Sequence, residues 1–489
     1  MTVKVSKQKV GSKKPKWDSS WTRDPRVALW TCVAAVFGYL YYSTISNGFY
    51  QQDELAHYLS MRGFWSNPNG SLDNWSKPGY KLITIWPALL GPGGLKFFNA
   101  LMSGAIGYLT FFVARDFKLK WPLVATVLLL TQCYWIQLSF RNYSENLTSL
   151  IYLASVYALY RNKFIATSLL LSYACFLRQE TYPIALLFAG YAVYHRKYLA
   201  IPLLAVFPVF HNAWGWLATG KSNYLVDMMS NTTSSYTNLY PRQGLEHYLL
   251  TSPVMFGYIA VLLAVAALLT GLRKKDKFHL GLIFCFLVAG IFAGEHLVFN
   301  TKFLNVGPAT GGNLRYFNVI APLVSLLGAF GFERFCFINR RDWRWLGIVA
   351  VFLALIYFTA YEHNNIKLNY SKRALLQVIP MLTVVGSLWT KLRNDYRIYV
   401  LFACVCLQVI LMVKPIKISS EDALAFEVAK FVKGHVQNDQ VKVASAHSSI
   451  NYELYGKVRM SPMKMDSIRN HTSGDLVIWD SHYSPRNGV

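Results

Sequence analysis

The stretch Gly48-Phe-Tyr-Gln-Gln-Asp53-Glu54-Leu-Ala-His57-Tyr58 begins where an apolar run covering residues 27–48 stops. Two adjacent acids follow a run long enough to cross a bilayer. The side of the membrane they face, and the residues they meet there, decide how the rest of the chain is read.

Composition supports the bilayer. Of 489 residues, 54% are hydrophobic, 16% aromatic and only 15% charged, and the mean hydropathy is +0.27, far from a charge-rich soluble domain. The formal net charge is +25, but Lys and Arg gather at the N-terminus and in short connectors between apolar runs. That is the positive-inside pattern rather than the continuous basic face that nucleic acid requires, so no nucleic-acid partner is expected.

Residues 1–26, with Lys4, Lys7, Lys9, Lys13, Lys14 and Lys16, form a basic cytosolic tail ahead of an uncleaved first span. The seven cysteines lie in apolar runs or connectors and show no disulfide or zinc spacing. Apolar runs predict about thirteen spans, near 27–48, 95–114, 121–140, 144–160, 163–178, 181–194, 199–217, 250–271, 278–297, 314–333, 344–361, 374–389 and 397–413. The basic connectors Arg115–Lys120, Arg161–Lys163, His195–Lys197, Arg273–Lys277, Arg340–Arg344 and Lys391–Arg397 then all fall on the side of the N-terminus. Only the loop Lys367–Arg373 is basic on the other side. The chain is therefore expected to be an all-α, multi-pass integral membrane protein with a cytosolic N-terminus. Residues 27–413 form its transmembrane domain and 49–93 an extracytoplasmic loop.

Residues 414–489 turn polar, and they predict a small extracytoplasmic α/β domain, periplasmic or lumenal. Its helix would run over Ala423–Val432, with short strands at Val441–Ser445 and Asp475–Trp479.

Spacing sets Asp53 and His57 one helical turn apart, and an acid pair there would equally suit the N-terminus of a short interfacial helix. Its company on the same side points to a site. Lys77 leads Lys77-Pro-Gly-Tyr80 into Lys81–Gly91, an apolar run too short to cross, read as an interfacial or re-entrant helix. Arg141 and Glu145 open the fourth span, and Arg178 and Glu180 fill a tight turn, where they could also be a structural ion pair. Glu295 and His296 end the ninth span, Lys302 follows in the loop, and Arg315 and Tyr316 open the tenth. Charges at such depths are costly unless paired or facing a polar cavity. His211 reads as a hydrogen-bonded packing residue.

This arrangement resembles the GT-C glycosyltransferases, integral membrane enzymes that take sugar from a polyprenyl-phosphate carrier. Gln52-Asp53-Glu54 looks like the His-Pro-Asp-Glu motif of the dolichol-phosphate-mannose α-mannosyltransferases of GPI-anchor and N-glycan assembly. Arg141-Asn-Tyr-Ser144 resembles their Arg-Thr-Phe-Ser, and Phe176-Leu-Arg178-Gln-Glu180 their Phe-Arg-x-Glu. Arg315-Tyr316 with Pro322 is similar to the end of their His-Lys-Glu-x-Arg-Phe motif. The chain departs from that subfamily in carrying Gln-Gln for His-Pro and Gly-Gly-Asn for His-Lys-Glu.

The resemblance implies inverting transfer of a hexose, such as mannose, from a polyprenyl-phosphate-linked donor to a hydroxyl on a glycan, glycolipid or protein. Asp53 would be general base, with Glu54 orienting it or the acceptor. Arg315 would hold the departing phosphate, with Arg178, Arg141, Lys302 and His296 in reserve; Lys77, Glu145, Glu180, His57 and Tyr316 would line the site. No metal is demanded, although Asp53, Glu54 and His57 could ligate a divalent cation. The rival class is a transporter or lipid-linked-sugar flippase. Transporters usually bind at the bilayer midplane and show repeated halves, whereas here the charges gather at span ends and no repeat is found.

Overall fold

A computed structural model describes residues 19–72, 77–236, 242–271, 277–300, 312–360, 376–390, 392–436, 441–461, 463, 468–469, 471, 474–480 and 484. Lys302 and the loop Lys367–Arg373 lie outside the described residues.

Helix α1 (Pro25–Ile45) starts where the Asp24 carboxylate accepts from the Arg26 backbone N–H at 2.8 Å, with proline at the first helical position. Its buried residues Ala28, Cys32, Val36, Tyr39 and Tyr42 make one narrow stripe. Trp30, Phe37 and Tyr41 stand exposed around it, as on a lipid-facing helix. The stripe packs on α4 (Gly91–Asp116), where a Cβ at Gly104 would come within 2.4 Å of Val36. Between them in the chain lie α2 (Asp53–Arg62) and α3 (Pro78–Leu89).

The chain continues through α5 (Pro122–Leu130), α6 (Cys133–Leu138), α7 (Glu145–Tyr160), α8 (Phe164–Leu177), α9 (Tyr182–Tyr194), α10 (Ala200–Leu203), α11 (Val206–Thr219) and α12 (Tyr224–Tyr236). Then come α13 (His247–Phe256), α14 (Tyr258–Thr270), α15 (Lys277–Asn300), α16 (Ala321–Phe335), α17 (Arg344–Ala360), α18 (Val378–Trp389) and α19 (Asn394–Met412). The core is built on α5, α14 and α16. Every residue of α5 is buried, and α16 meets α14 so closely that a Cβ at Gly331 would lie 2.0 Å from the Leu263 carbonyl oxygen.

Among the described residues, five helices are long and apolar enough to cross a membrane alone: α1, α4, α15 within Leu280–Val298, Leu314–Phe335 and α19. The pair α13 and α14, bent by 115° at Gly257, makes a sixth if counted as one span. Helix length therefore does not reproduce the count of about thirteen. The physical reason is that hydropathy sums over breaks. The run 121–140 splits between α5 and α6, and 199–217 splits between α10 and α11. Short apolar helices such as α8 and α18 are apolar partly because they bury against neighbours, which hydropathy cannot tell from lipid.

After Met412 the chain runs back along the end of α1. The Gly48 N–H donates to the Ile416 carbonyl at 2.9 Å, and a Cβ at Gly48 would lie 2.0 Å from the Lys417 carbonyl oxygen. Helix α20 (Ser420–His435), capped by Ser419, and α21 (Ser448–Leu454) flank three short strands: β1 (Lys442–Ser445), β2 (Arg459–Ser461) and β3 (Leu476–Ile478). The sheet order is β2-β1-β3, parallel throughout, with Val443 paired to Met460 on one side and Leu476 on the other. Ala425, Ala429, Val432, Val443, Ile450 and Leu454 make a separate small core, as expected where helices cover a parallel sheet.

Candidate functional site

Asp53 is the first residue of α2, and its carboxylate accepts from Arg315 Nη2 at 2.9 Å. Arg315 stands in a 3-10 turn, Leu314–Ile320, whose first N–H groups are capped by the Asn313 side chain accepting from the Arg315 N–H. The Arg315 guanidinium also lies 3.4 Å from Glu145 Oε1, which in turn takes Arg178 Nη1 at 3.0 Å. Arg178 Nη2 reaches Glu180 at 2.7 Å. The result is an unbroken chain of charge, Asp53–Arg315–Glu145–Arg178–Glu180, drawn from α2, the 3-10 turn, the start of α7 and the turn after α8. Aromatic faces support it: Arg315 lies 4.3 Å over Tyr143, and Arg178 lies 4.6 Å over Tyr316.

Exposure differs along the chain. The Asp53 side chain is 32% exposed, against 8% for Arg315, 3% for Glu145 and 1% for Arg178. Asp53 is thus the end a ligand can reach. Several buried atoms of the chain keep unspent hydrogen-bonding capacity among the described residues: Arg315 Nη1, Arg178 Nε, Glu145 Oε2 and Glu180 Oε2. Buried polar atoms are normally satisfied, so these atoms can take a water or a polar ligand.

Lys77 stands at the Glu180 end. It caps α3 with a left-handed backbone, φ 53°, a conformation that costs a non-glycine residue about 1–2 kcal/mol. Burial pulls its ammonium below the usual lysine range, against the pull of Glu180, and Arg178 adds to the lowering. Among the described residues Lys77 makes no ion pair within 4.0 Å. Burial raises the Glu180 carboxyl, but Arg178, Lys77 and His296 together hold it well below the usual carboxylate range.

Glu54 and Arg141 sit apart from this chain in function. Arg141 donates to Glu54 Oε1 at 2.8 Å, to the Gly48 and Gln137 carbonyls and to Ser46 Oγ. The same Glu54 oxygen accepts the Tyr50 N–H at 2.7 Å. This clamp fixes the turn between α1 and α2, so four of the five N–H donors of Arg141 are already used within the protein. His57 is buried behind Asp53, and burial, then Lys81, Arg315 and Lys77, keep its imidazole well below the ordinary histidine range. His296 packs on the Tyr316 ring at 5.5 Å. His211 Nε2 pairs with the Leu72 carbonyl at 2.8 Å, a packing contact.

Asp53, Glu54 and His57 do not converge on a metal-sized point. Among the described residues the trio with ligand atoms within 4.8 Å of one another is Glu421, His447 and Asp480, in the C-terminal α/β region. Sequence reading passed over Tyr143, Asn313 and Gln51. Tyr143 and Asn313 are neutral, so no cost of buried charge drew attention to them. Asn313 Nδ2 donates to Gln51 Oε1 at 3.2 Å, tying the turn of Arg315 to the start of α2.

These features define a mostly helical scaffold with several membrane-length apolar helices and a buried chain of charge at their ends. The solved structure of ArnT from Cupriavidus metallidurans bound to undecaprenyl phosphate matches it with a TM-score of 0.58 at 11% identity, covering 89% of this chain and 85% of that one. The apo state of the same protein matches with 0.58 at 12% identity, covering 88% and 85%. At such identity the likeness shows the fold. No family model matches the chain, and no curated protein matches it by sequence.

Proposed function

We propose that this protein is a membrane glycosyltransferase that moves a sugar from a polyprenyl-phosphate carrier to an acceptor hydroxyl. The observation that carries the reading is the 2.9 Å contact between Asp53, the most accessible acid of the site, and buried Arg315, which keeps Nη1 unspent. That undecaprenyl phosphate binds the like-folded ArnT supports a polyprenyl phosphate as the carrier.

Transfer needs a base for the acceptor's proton and cations for the leaving phosphate, on opposite faces of the sugar. Asp53 supplies the base, exchanging its Arg315 contact for the acceptor hydroxyl as the sugar enters between them. The acceptor oxygen attacks the anomeric carbon, the bond from that carbon to the phosphate oxygen breaks, the phosphate leaves with the electron pair, and Asp53 takes the hydroxyl proton, inverting the centre. Arg315, through Nη1, and Lys77 receive the phosphate, because a guanidinium keeps its charge when buried and Lys77 has no competing ion pair among the described residues. Glu145, Arg178, Glu180 and Tyr316 hold these cations in place. Glu54 with Arg141 fixes the turn that presents Asp53. The sugar is mannose or another hexose, on the resemblance of residues 52–54, and the acceptor is a glycan, glycolipid or protein facing the extracytoplasmic side.

No divalent cation is needed in this reading. Incubation of purified protein with a polyprenyl-phospho-hexose and a mixed acceptor should release free polyprenyl phosphate, with EDTA present or absent. Sugar crossing vesicle membranes without carrier consumption would instead identify a transporter. Loss of activity in EDTA would direct attention to Glu421, His447 and Asp480.

A further inference from the structure

The C-terminal α/β region reaches the head of α2 through the Gln52 side chain. Gln52, the residue before Asp53, donates from Nε2 to Asp422 Oδ1 at 3.1 Å and lies 2.8 Å from His447 Nε2. Asp422 is 5% exposed and already accepts from Ser449 Oγ at 2.7 Å and Ser419 Oγ at 2.7 Å. Those bonds lock the carboxylate to the first turn of α20 and to α21. The carboxylate also decides the amide's orientation, since the Gln52 carbonyl oxygen would be repelled at that position, and the same Nε2 lies against the His447 ring, where the tautomer sets which nitrogen carries the proton. Tyr58, further along α2, meets Tyr452 of α21 with ring centroids 5.8 Å apart.

The three residues at the head of α2 are thus held by two parts of the chain, the turn of Asn313 and Arg315 and the C-terminal region. Gln51 is tied to Asn313, Gln52 to Asp422 and His447, and Asp53 to Arg315. Gln52 sits at the N-cap of α2 with helical backbone and makes no side-chain cap of its own, so its amide is spent on the C-terminal region.

We propose that Asp422 and His447 are positioning residues of the transfer reaction: by holding the Gln52 amide they fix the first turn of α2 and aim the Asp53 carboxylate. The proposal rests on the glycosyltransferase reading. It assigns the C-terminal region a share in the chemistry without contact to either substrate.

A misplacement of about 1 Å at a reacting group costs on the order of a hundredfold in rate. In the full-length protein, His447→Ala and Asp422→Asn should therefore lower kcat roughly ten- to a hundredfold while the donor KM stays within about twofold. Gln52→Ala should do the same. Because all three act through one amide, His447→Ala in a Gln52→Ala background should cost less than about twofold more, a non-additivity that independent effects do not produce. His447→Gln, whose amide can serve as either donor or acceptor in the same hydrogen bond, should recover most of the loss, and Glu427→Gln, on the exposed face of α20, should leave the rate unchanged. Multiplicative losses in the double variant, or a shift in KM with kcat intact, would overturn the proposal. Amide hydrogen exchange tests it without turnover: His447→Ala should speed exchange over residues 53–57 while β1 and α20 keep their protection. Unchanged exchange over 53–57, or loss of protection through the whole C-terminal region, would reject positioning even if wild-type protein proved to have no transferase activity. That last result would by itself reject only the enzymatic reading.

Discussion

The two ends of the charge chain are made of the same residue types and behave differently. At one end Asp53 meets Arg315 with a third of its side chain open; at the other Arg178 is enclosed by Glu145, Glu180 and the Tyr316 ring at 1% exposure. An enclosed arginine between two carboxylates has little freedom to change partners, so that end holds shape. The open carboxylate can exchange a partner for a substrate, so that end can do chemistry. Residue type says nothing about this division, which comes from the neighbouring backbone.

The sharpest way to break the comparison is at the closed end. Arg178→Ala leaves two buried carboxylates facing each other, which should cost about 3–5 kcal/mol and lower the melting temperature or the folded yield in detergent. If Arg178→Ala instead keeps wild-type stability and loses only turnover, the two ends have been assigned the wrong way round. At the open end, Asp53→Asn should leave the melting temperature nearly unchanged and cut release of polyprenyl phosphate at least about a hundredfold. Retained transfer would remove Asp53 as the base.

Glu54→Gln probes the neighbour that shares Asp53's chemistry but not its setting. It keeps the shape of the Arg141 clamp and removes its charge, so stability should drop by roughly 1–3 kcal/mol with a smaller loss of kcat than at Asp53. The smallest effect concerns pH. His57 is held neutral in the folded protein well below the ordinary histidine range. The unfolded chain therefore binds the extra proton first, and stability falls as pH drops below about 6.5, by up to ~1.4 kcal/mol per pH unit. Thermal unfolding between pH 7.5 and 5.5 should show this slope in the wild type and a shallower one in His57→Asn.

The charged part of this site was legible in the sequence because ionised residues beside membrane-length runs are expensive and stand out. Asp53, Glu145, Arg178, Glu180, Arg315 and Tyr316 were all singled out, and the structure brings them into one chain of contacts. Residue type alone does not divide Asp53 from Glu54; the structure does, pairing Asp53 with Arg315 and Glu54 with Arg141, each from a distant turn. Gln52 was equally hidden: an amide carries no cost that hydropathy registers, and its partners lie 370 and 395 residues away. Helix length among the described residues leaves the count of about thirteen spans unconfirmed for a related reason. A break such as Thr131–Gln132 inside an apolar run leaves the average unchanged, while the backbone there turns.

The seam at Gly48 gives the fold an order of manufacture. The strand of chain at residues 416–417 lies so near that even a methyl group on residue 48 would collide with it. A ribosome delivers those partners long after Gly48, so the bend that presents the acids stays unsealed until residues 416–417 arrive.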